Sequence, residues 1–157
     1  MHRLLLSSSL FVSSLVVSSV LGGCAGPDSL TGSIDQSHSL AFDTVGLRLF
    51  TDQNAYELKY EKALDSGDND VVAKVVFDAP EGGVVLDQEI TLVAGEAQVE
   101  RITAKNDPFP GLDEGKISFS AGGVVDGELS TGEFSALFVN GKSLQGTFSV
   151  VLSHTSF

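Results

Sequence analysis

An all-β domain, an antiparallel β-sandwich or small β-barrel of about eight or nine short strands, follows from three features of the sequence. Apolar and polar residues alternate with period two in several stretches, as in strands that bury one face. Glycine-bearing turns separate those stretches at a spacing of roughly 10–14 residues, the rhythm of sandwiches and small barrels. The segment from Phe134 to Leu152 also reads as one long hairpin with a matched apolar row on each arm.

The chain opens on Met1-His2-Arg3, followed by an apolar run, Leu4–Leu21, that is diluted by seven serines and closed by Gly22-Gly23-Cys24. A basic stretch, an apolar core and small residues at the cut make the layout of a secretory signal. Two readings compete with a lipoprotein signal: a cleaved signal without lipid, and a membrane-spanning anchor. About 18 residues reach the lower limit for crossing a bilayer, but the serines weaken an anchor and no basic stop-transfer cluster follows.

Leu21-Gly22-Gly23-Cys24 resembles a bacterial lipobox, and Cys24 is the one cysteine of the chain. The resemblance implies cleavage between Gly23 and Cys24, acylation of Cys24 and attachment to a membrane through the N-terminal lipid. Ala25, rather than Asp, after the cysteine implies the outer membrane of a Gram-negative envelope. An unpaired cysteine in a secreted chain needs an explanation, and lipidation supplies one. At about 0.8 kcal/mol per buried methylene, several acyl chains hold a protein firmly.

The expected organisation is a signal peptide over 1–23, a lipidated N-terminus and flexible tether over 24–37, and one β-domain over 38–157. The tether is assigned because residues 25–37 (AGPDSLTGSIDQS) are small, polar and turn-rich. The whole chain carries a net charge of −12; removing residues 1–23 takes away Arg3 and no acid, leaving eight basic and 21 acidic side chains, or −13. Such a balance argues against nucleic acid and anionic membrane surfaces as partners. It suits a basic envelope protein, divalent cations or simple solubility.

Within the domain, Leu40–Phe50 reads as a strand with a bulge or bend at Gly46. Asn54–Leu64 has both a capping-box-like spacing and a clean alternation of Tyr56, Leu58 and Tyr60 with Glu57, Lys59 and Glu61, and the alternation favours strand. Val71–Phe77 is β-branched, with Lys74 outward. Val84–Val93 and Ala97–Ala104, around Ala94-Gly95-Glu96, read as a hairpin, and so do Lys116–Ala121 and Val124–Ser130 around Gly122-Gly123. Between them, Pro108 and Pro110 make Asn106–Gly111 a loop.

For the last hairpin, a three-residue loop Asn140-Gly141-Lys142 pairs Phe138 with Leu144, Ala136 with Gly146 and Phe134 with Phe148. That arrangement predicts a type I turn with a Gly141 bulge rather than type I′. The pattern Gly132-x-Phe134-x-Ala136-x-Phe138-x-Asn140-Gly141-x-x-Leu144-x-Gly146-x-Phe148 is similar to the C-terminal hairpin of small Gly-rich β-sandwich lipoproteins of unknown function. The similarity spans about 20 residues and carries no functional residue across.

Few residues point to chemistry. His38 and His154 are the histidines beyond the signal, each among serines, and no G-x-S-x-G or metal-spaced histidine pair is present. Surface histidine is the simpler reading, and with 21 acids no carboxylate pair stands out for glycosidase-like work. Asp65, Asp68, Asn69 and Asp70 sit on a Gly-containing turn and are candidate calcium ligands, although their order is not that of an EF-hand and a solvated turn explains them equally. Asp107, Asp113 and Glu114 form a second acidic loop. Phe109, flanked by prolines, is the one aromatic open to exposure; a ring tucked onto the barrel end is the favoured reading, and a partner contact is the alternative.

No enzyme emerges. The reading favoured by the sequence is a membrane-anchored lipoprotein whose β-domain binds a protein or scaffolds the envelope; an acidic inhibitor of a basic envelope-attacking enzyme is one form of it. A carrier of a small apolar ligand in a barrel interior is the alternative, and a hydrolase using His38 or His154 is the third.

Overall fold

The computed structural model describes residues 28–156. Nine strands form: β1 (Ser29–Thr31), β2 (Thr44–Phe50), β3 (Ala55–Ala63), β4 (Asn69–Asp78), β5 (Glu89–Val93), β6 (Gln98–Ile102), β7 (Leu112–Ala121), β8 (Leu129–Phe138) and β9 (Ser143–Thr155). One 3-10 turn, Ser33–Gln36, lies between β1 and β2. Pairing runs in the order β5-β7-β8-β9-β2-β3-β4-β6, with β1 added beside β9. The sheet rolls into a nearly closed barrel, and its seam lies between β5 and β6.

The strand that joins the two halves is β9. Its first part pairs antiparallel with β8 and, on the other edge, with β1. Its last part, Leu152–Thr155, pairs with Leu47–Phe50 of β2, and these two run parallel. The parallel pair departs from the expected all-antiparallel sheet. Thirteen residues make β9 long enough to serve both halves in succession.

Aromatic rings fill the space between the halves. Tyr56 stacks on Phe77 at 5.2 Å and approaches Phe119 of the opposite half at 5.8 Å. Phe119 meets Phe148 edge-on at 5.4 Å, and Tyr60 meets Phe134 across the core at 6.0 Å. The two tyrosines, core residues as their alternation suggests, also staple the halves by hydrogen bonds: Tyr60 Oη donates to Thr147 O at 2.8 Å, and Tyr56 Oη to Gly123 O. Burial raises the pKa of both phenols, that of Tyr60 far above its usual value, with the Asp28 carboxylate adding to the effect at Tyr60. Tyr60→Phe removes one buried hydrogen bond and no carbon, so urea denaturation should show a loss of about 1–2 kcal/mol with unchanged m.

Two glycines make room for these rings. Gly146 lies directly opposite Phe134, and Gly132 opposite Phe148. A Cβ on Gly146 would overlap the Phe134 ring and stand 2.8 Å from Tyr60 Oη; one on Gly132 would stand 2.5 Å from Phe148 Cζ. Each phenylalanine lies over the bare backbone of its cross-strand glycine, an arrangement that shields a glycine in a sheet from solvent.

Several local expectations are corrected. The domain begins well before residue 38: β1 pairs Ser29 with Thr147 through Thr31 with Gln145, and Leu30 and Ile34 are buried. Two apolar residues in an otherwise polar stretch suffice to cap the barrel. The expected flexible tether is therefore corrected for Ser29–Gln36, which hold regular structure on the barrel. Residues 1–27, with Gly23 and Cys24, lie outside the described residues.

At the Asn140-Gly141 turn, the type I turn with a Gly141 bulge forms, but its loop is Val139-Asn140-Gly141, closed by Gly141 N to Phe138 O (2.8 Å) and Phe138 N to Lys142 O (2.9 Å). Gly141, at φ 77°, takes the last loop position, where the bulge needs a left-handed residue. The register therefore pairs Ala136 with Leu144 and Phe134 with Gly146. That is a slip of two from the expected pairing, and a slip of two leaves every face unchanged.

The stretch read as a hairpin around Gly95 is an arch. β5 pairs with β7 and β6 with β4; the two touch only through an isolated bridge between Ala94 and Ala97. Leu92 and Val99 thereby face each other into the core from opposite halves, both buried. The strand before this turn starts at Glu89 rather than Val84. The Gly122-Gly123 hairpin forms from β7 and β8, but its second strand starts at Leu129 rather than Val124. β2 starts at Thr44, and the ladder passes through Gly46 without a register shift.

Candidate functional site

The most structured polar group sits at one end of the barrel and grows out of a bulge. In β4, Val72 is an extra residue: Tyr60 pairs with Ala73, but Glu61 pairs with Val71. The bulge turns both Val72 and Ala73 inward and leaves the Val72 carbonyl out of the regular ladder. Arg101, on the neighbouring strand β6 and inward-facing like Val99, takes it: Nη1 donates to Val72 O at 3.3 Å and to Ser39 O at 3.0 Å. Only 9% of Arg101 is exposed. A buried guanidinium needs a counter-charge, and Asp107 Oδ1 stands 3.3 Å from its Nε, within ion-pair range though off the angle of a hydrogen bond.

Asp107 is held in turn by the Thr103 hydroxyl. That hydrogen bond first, and then the Arg101 guanidinium, hold its carboxyl below the usual carboxylate range. The Arg101 guanidinium carbon lies 5.9 Å above the Phe109 ring. Phe109 also packs edge-on with His38 at 5.3 Å and tilted against Phe138 at 5.4 Å. The ring is thus tucked onto the barrel end, as favoured, and is buried rather than an exposed partner contact. Pro108 and Pro110 turn the loop back over the barrel end, where Arg101 and Phe138 provide a surface to cover.

An open cleft of about 580 Å³ runs beside this cluster, between Gln98–Ile102 of β6 and Pro108–Leu112. β6 pairs with β4 alone among the described strands, so its other edge borders the cleft. Ile102 is half exposed and Glu100 supplies a carboxylate, which reaches Lys74 at 2.8 Å. A second, smaller groove of about 310 Å³ crosses the outer face of β7, β8, β9 and β1. Its floor is a hydroxyl- and charge-bearing rung, Ser118, Glu133, Thr147 and Ser29 in register, beside an exposed Lys116–Glu89 ion pair.

The other candidates do not join these sites. His38 Nδ1 hydrogen-bonds its own neighbour, Ser37 Oγ, at 2.8 Å. The His154 backbone N–H donates to Asp126, on the β7–β8 connection. In the acidic turn, Asp70 accepts from Ala104 N at 2.7 Å, and Ser66 Oγ donates to Asp68 at 3.2 Å. Asp65, Asp68, Asn69 and Asp70 thus serve a turn that ties β4 to the segment after β6. Among the described residues, no three His, Cys, Asp or Glu side chains gather as a metal set.

Arg101 went unremarked in the sequence, although a signal was there: it occupies an inward position two residues from Val99 in an alternating strand. A cation in an apolar row needs a local reason, and the Val72 bulge supplies it. No protein-family model, curated protein or solved structure matches the chain.

Proposed function

We propose that the protein is a membrane-anchored extracytoplasmic lipoprotein, acylated at Cys24, whose β-domain binds a protein partner rather than catalysing a reaction. The observation that supports protein binding is the outer edge of β6 bordering an open cleft. Unpaired backbone donors and acceptors along a strand edge are the natural seat of an extended segment from another protein, and the cleft gives its side chains a floor. A net charge of −12, with Glu100 lining this cleft, favours a basic partner and fast encounter at low salt. The rings that fill the barrel leave the ligand-carrier reading without support.

Two experiments test the two halves of this reading. Cys24→Ser should move the protein from the membrane fraction to the soluble fraction of the cell; retention in the membrane would sink the lipid anchor. Separately, Cys24–Phe157 used as bait should capture a basic envelope protein that high salt releases. Ile102→Asp, on the exposed face of β6, should weaken that capture at least about tenfold, the size of one disrupted contact at the centre of an interface. Equal capture by both baits would remove β6 as the interface.

A further inference from the structure

We infer that the end of the domain bearing Val124, Val125, Leu129 and Val151 is a membrane-contact surface that dips into a neutral lipid headgroup layer. The inference builds on the lipid-anchor reading and adds an orientation to it. Leu129 and Val151 are direct cross-strand partners of β8 and β9, 56% and 58% exposed, so they form one outward apolar pair. Val124 and Val125, 50% and 59% exposed, belong to the connection that is fastened to the same strand ends. There, Glu128 N bonds to Val125 O, Gly127 N to Leu152 O and Leu152 N to Glu128 O. The Asp126 carboxylate accepts the His154 N–H at 2.7 Å. Outward positions nearer the middle of the same sheet are polar: Glu133, Ser135, Gln145 and Thr147.

What covers this patch follows from the path of the chain. β1 runs antiparallel to β9, with Thr31 opposite Gln145 and Ser29 opposite Thr147. Followed back toward the N-terminus, the chain therefore travels along β9 toward Val151. Asp28 is fixed there, its Oδ1 accepting the Ser149 N–H at 2.6 Å. Val151 lies two residues further on, about 7 Å away. Four peptide steps separate Cys24 from Asp28, and these span at most about 14 Å. An acylated Cys24 would hold this end of the barrel, and no other, against the lipid surface. Four large apolar side chains at that end match the occupant the geometry delivers. The acidic chain makes the preferred surface neutral rather than anionic.

The chain contains no tryptophan, so a single introduced one reports on one place. Val124→Trp and Val139→Trp both replace exposed valines, but Val139 lies in the turn at the far end of β8, about 30 Å away. Cys24–Phe157, which includes every described residue, would be coupled through its sole thiol to maleimide lipid in vesicles of brominated phosphatidylcholine. This coupling recreates the tether whether or not cells acylate Cys24, so failure here and failure of the fractionation test are distinguishable. The expected result is a blue shift and at least about twofold quenching for Val124→Trp, with Val139→Trp unchanged. Adding Val125→Ser, Leu129→Ser and Val151→Ser to the Val124→Trp protein should abolish both effects. Equal behaviour of the two reporters, or quenching that survives the serine changes, overturns the inference.

Discussion

Valine in place of Gly146 should cost about 3 kcal/mol or more of stability, whereas the same change at Gly46 should cost nothing or stabilise by up to about 1 kcal/mol. Both glycines lie inside strands, and valine is the better strand former at either by up to about 1 kcal/mol. Propensity alone therefore predicts two gains. Packing reverses the sign at one. The space above Gly146 is filled by the Phe134 ring and the Tyr60 hydroxyl, while nothing lies within 4 Å of a Cβ on Gly46. Overpacking of a filled core costs about 1–3 kcal/mol, occasionally more, and here it would also dislodge the Tyr60 bond to Thr147 O. Denaturation midpoints of the two variants, at unchanged m, decide it. A stable Gly146→Val protein would mean that the ring-over-glycine pairs are not what sets this packing.

Arg101→Ala should be nearly as damaging, at about 2–4 kcal/mol, although no charge pair at the surface approaches that. It removes both donors to the carbonyls of Val72 and Ser39 and the stem under Phe109 and leaves the bulge carbonyl without its side-chain partner. Arg101→Lys should recover only part, because a single ammonium does not present the guanidinium fork. Acid should reveal the Asp107 share. A carboxyl whose pKa is lowered on folding contributes stability above its unfolded pKa of about 3.9. That contribution is lost as pH falls through the lower folded value. Part of it comes from Arg101, so the gap between wild type and Arg101→Ala should narrow below about pH 4. A gap independent of pH would mean that Asp107 holds the loop through Thr103 alone.

The fold class was legible because alternation reports which residues share a face, and it did so correctly for the Tyr56–Tyr60 strand and for both arms of the last hairpin. Alternation does not report which strand lies next door. Hence β5 and β6, adjacent in the chain and patterned like a hairpin, are an arch between halves, and the 138–144 register was two residues off with every face right. Leu30 and Ile34 were missed because two isolated apolar residues carry no period. For Phe109 the tuck onto the barrel end is the favoured reading and it holds, but a loop sequence does not say what surface the loop folds back upon, so the exposed partner contact stayed open. Arg101 could have been flagged as a cation in an apolar row, but its partner is a backbone carbonyl released by a bulge, and no side-chain motif records that.

The sharing of β9 by both halves has a consequence for how the molecule comes into being. Ribosomes deliver strands in order, and this one follows the other eight. Until it arrives, β8 and β2 each lack a neighbour and β1 has no partner at all. The pairing of β1 with β9 joins Leu30 to Gly146, across nearly the full described length. Contacts of such long range are slow to form, and a nascent chain stopped before Ser143 has two open half-sheets instead of a smaller version of the finished one. Closure of the barrel thus waits on β9: without it the halves that β8 and β2 border have nothing to join them.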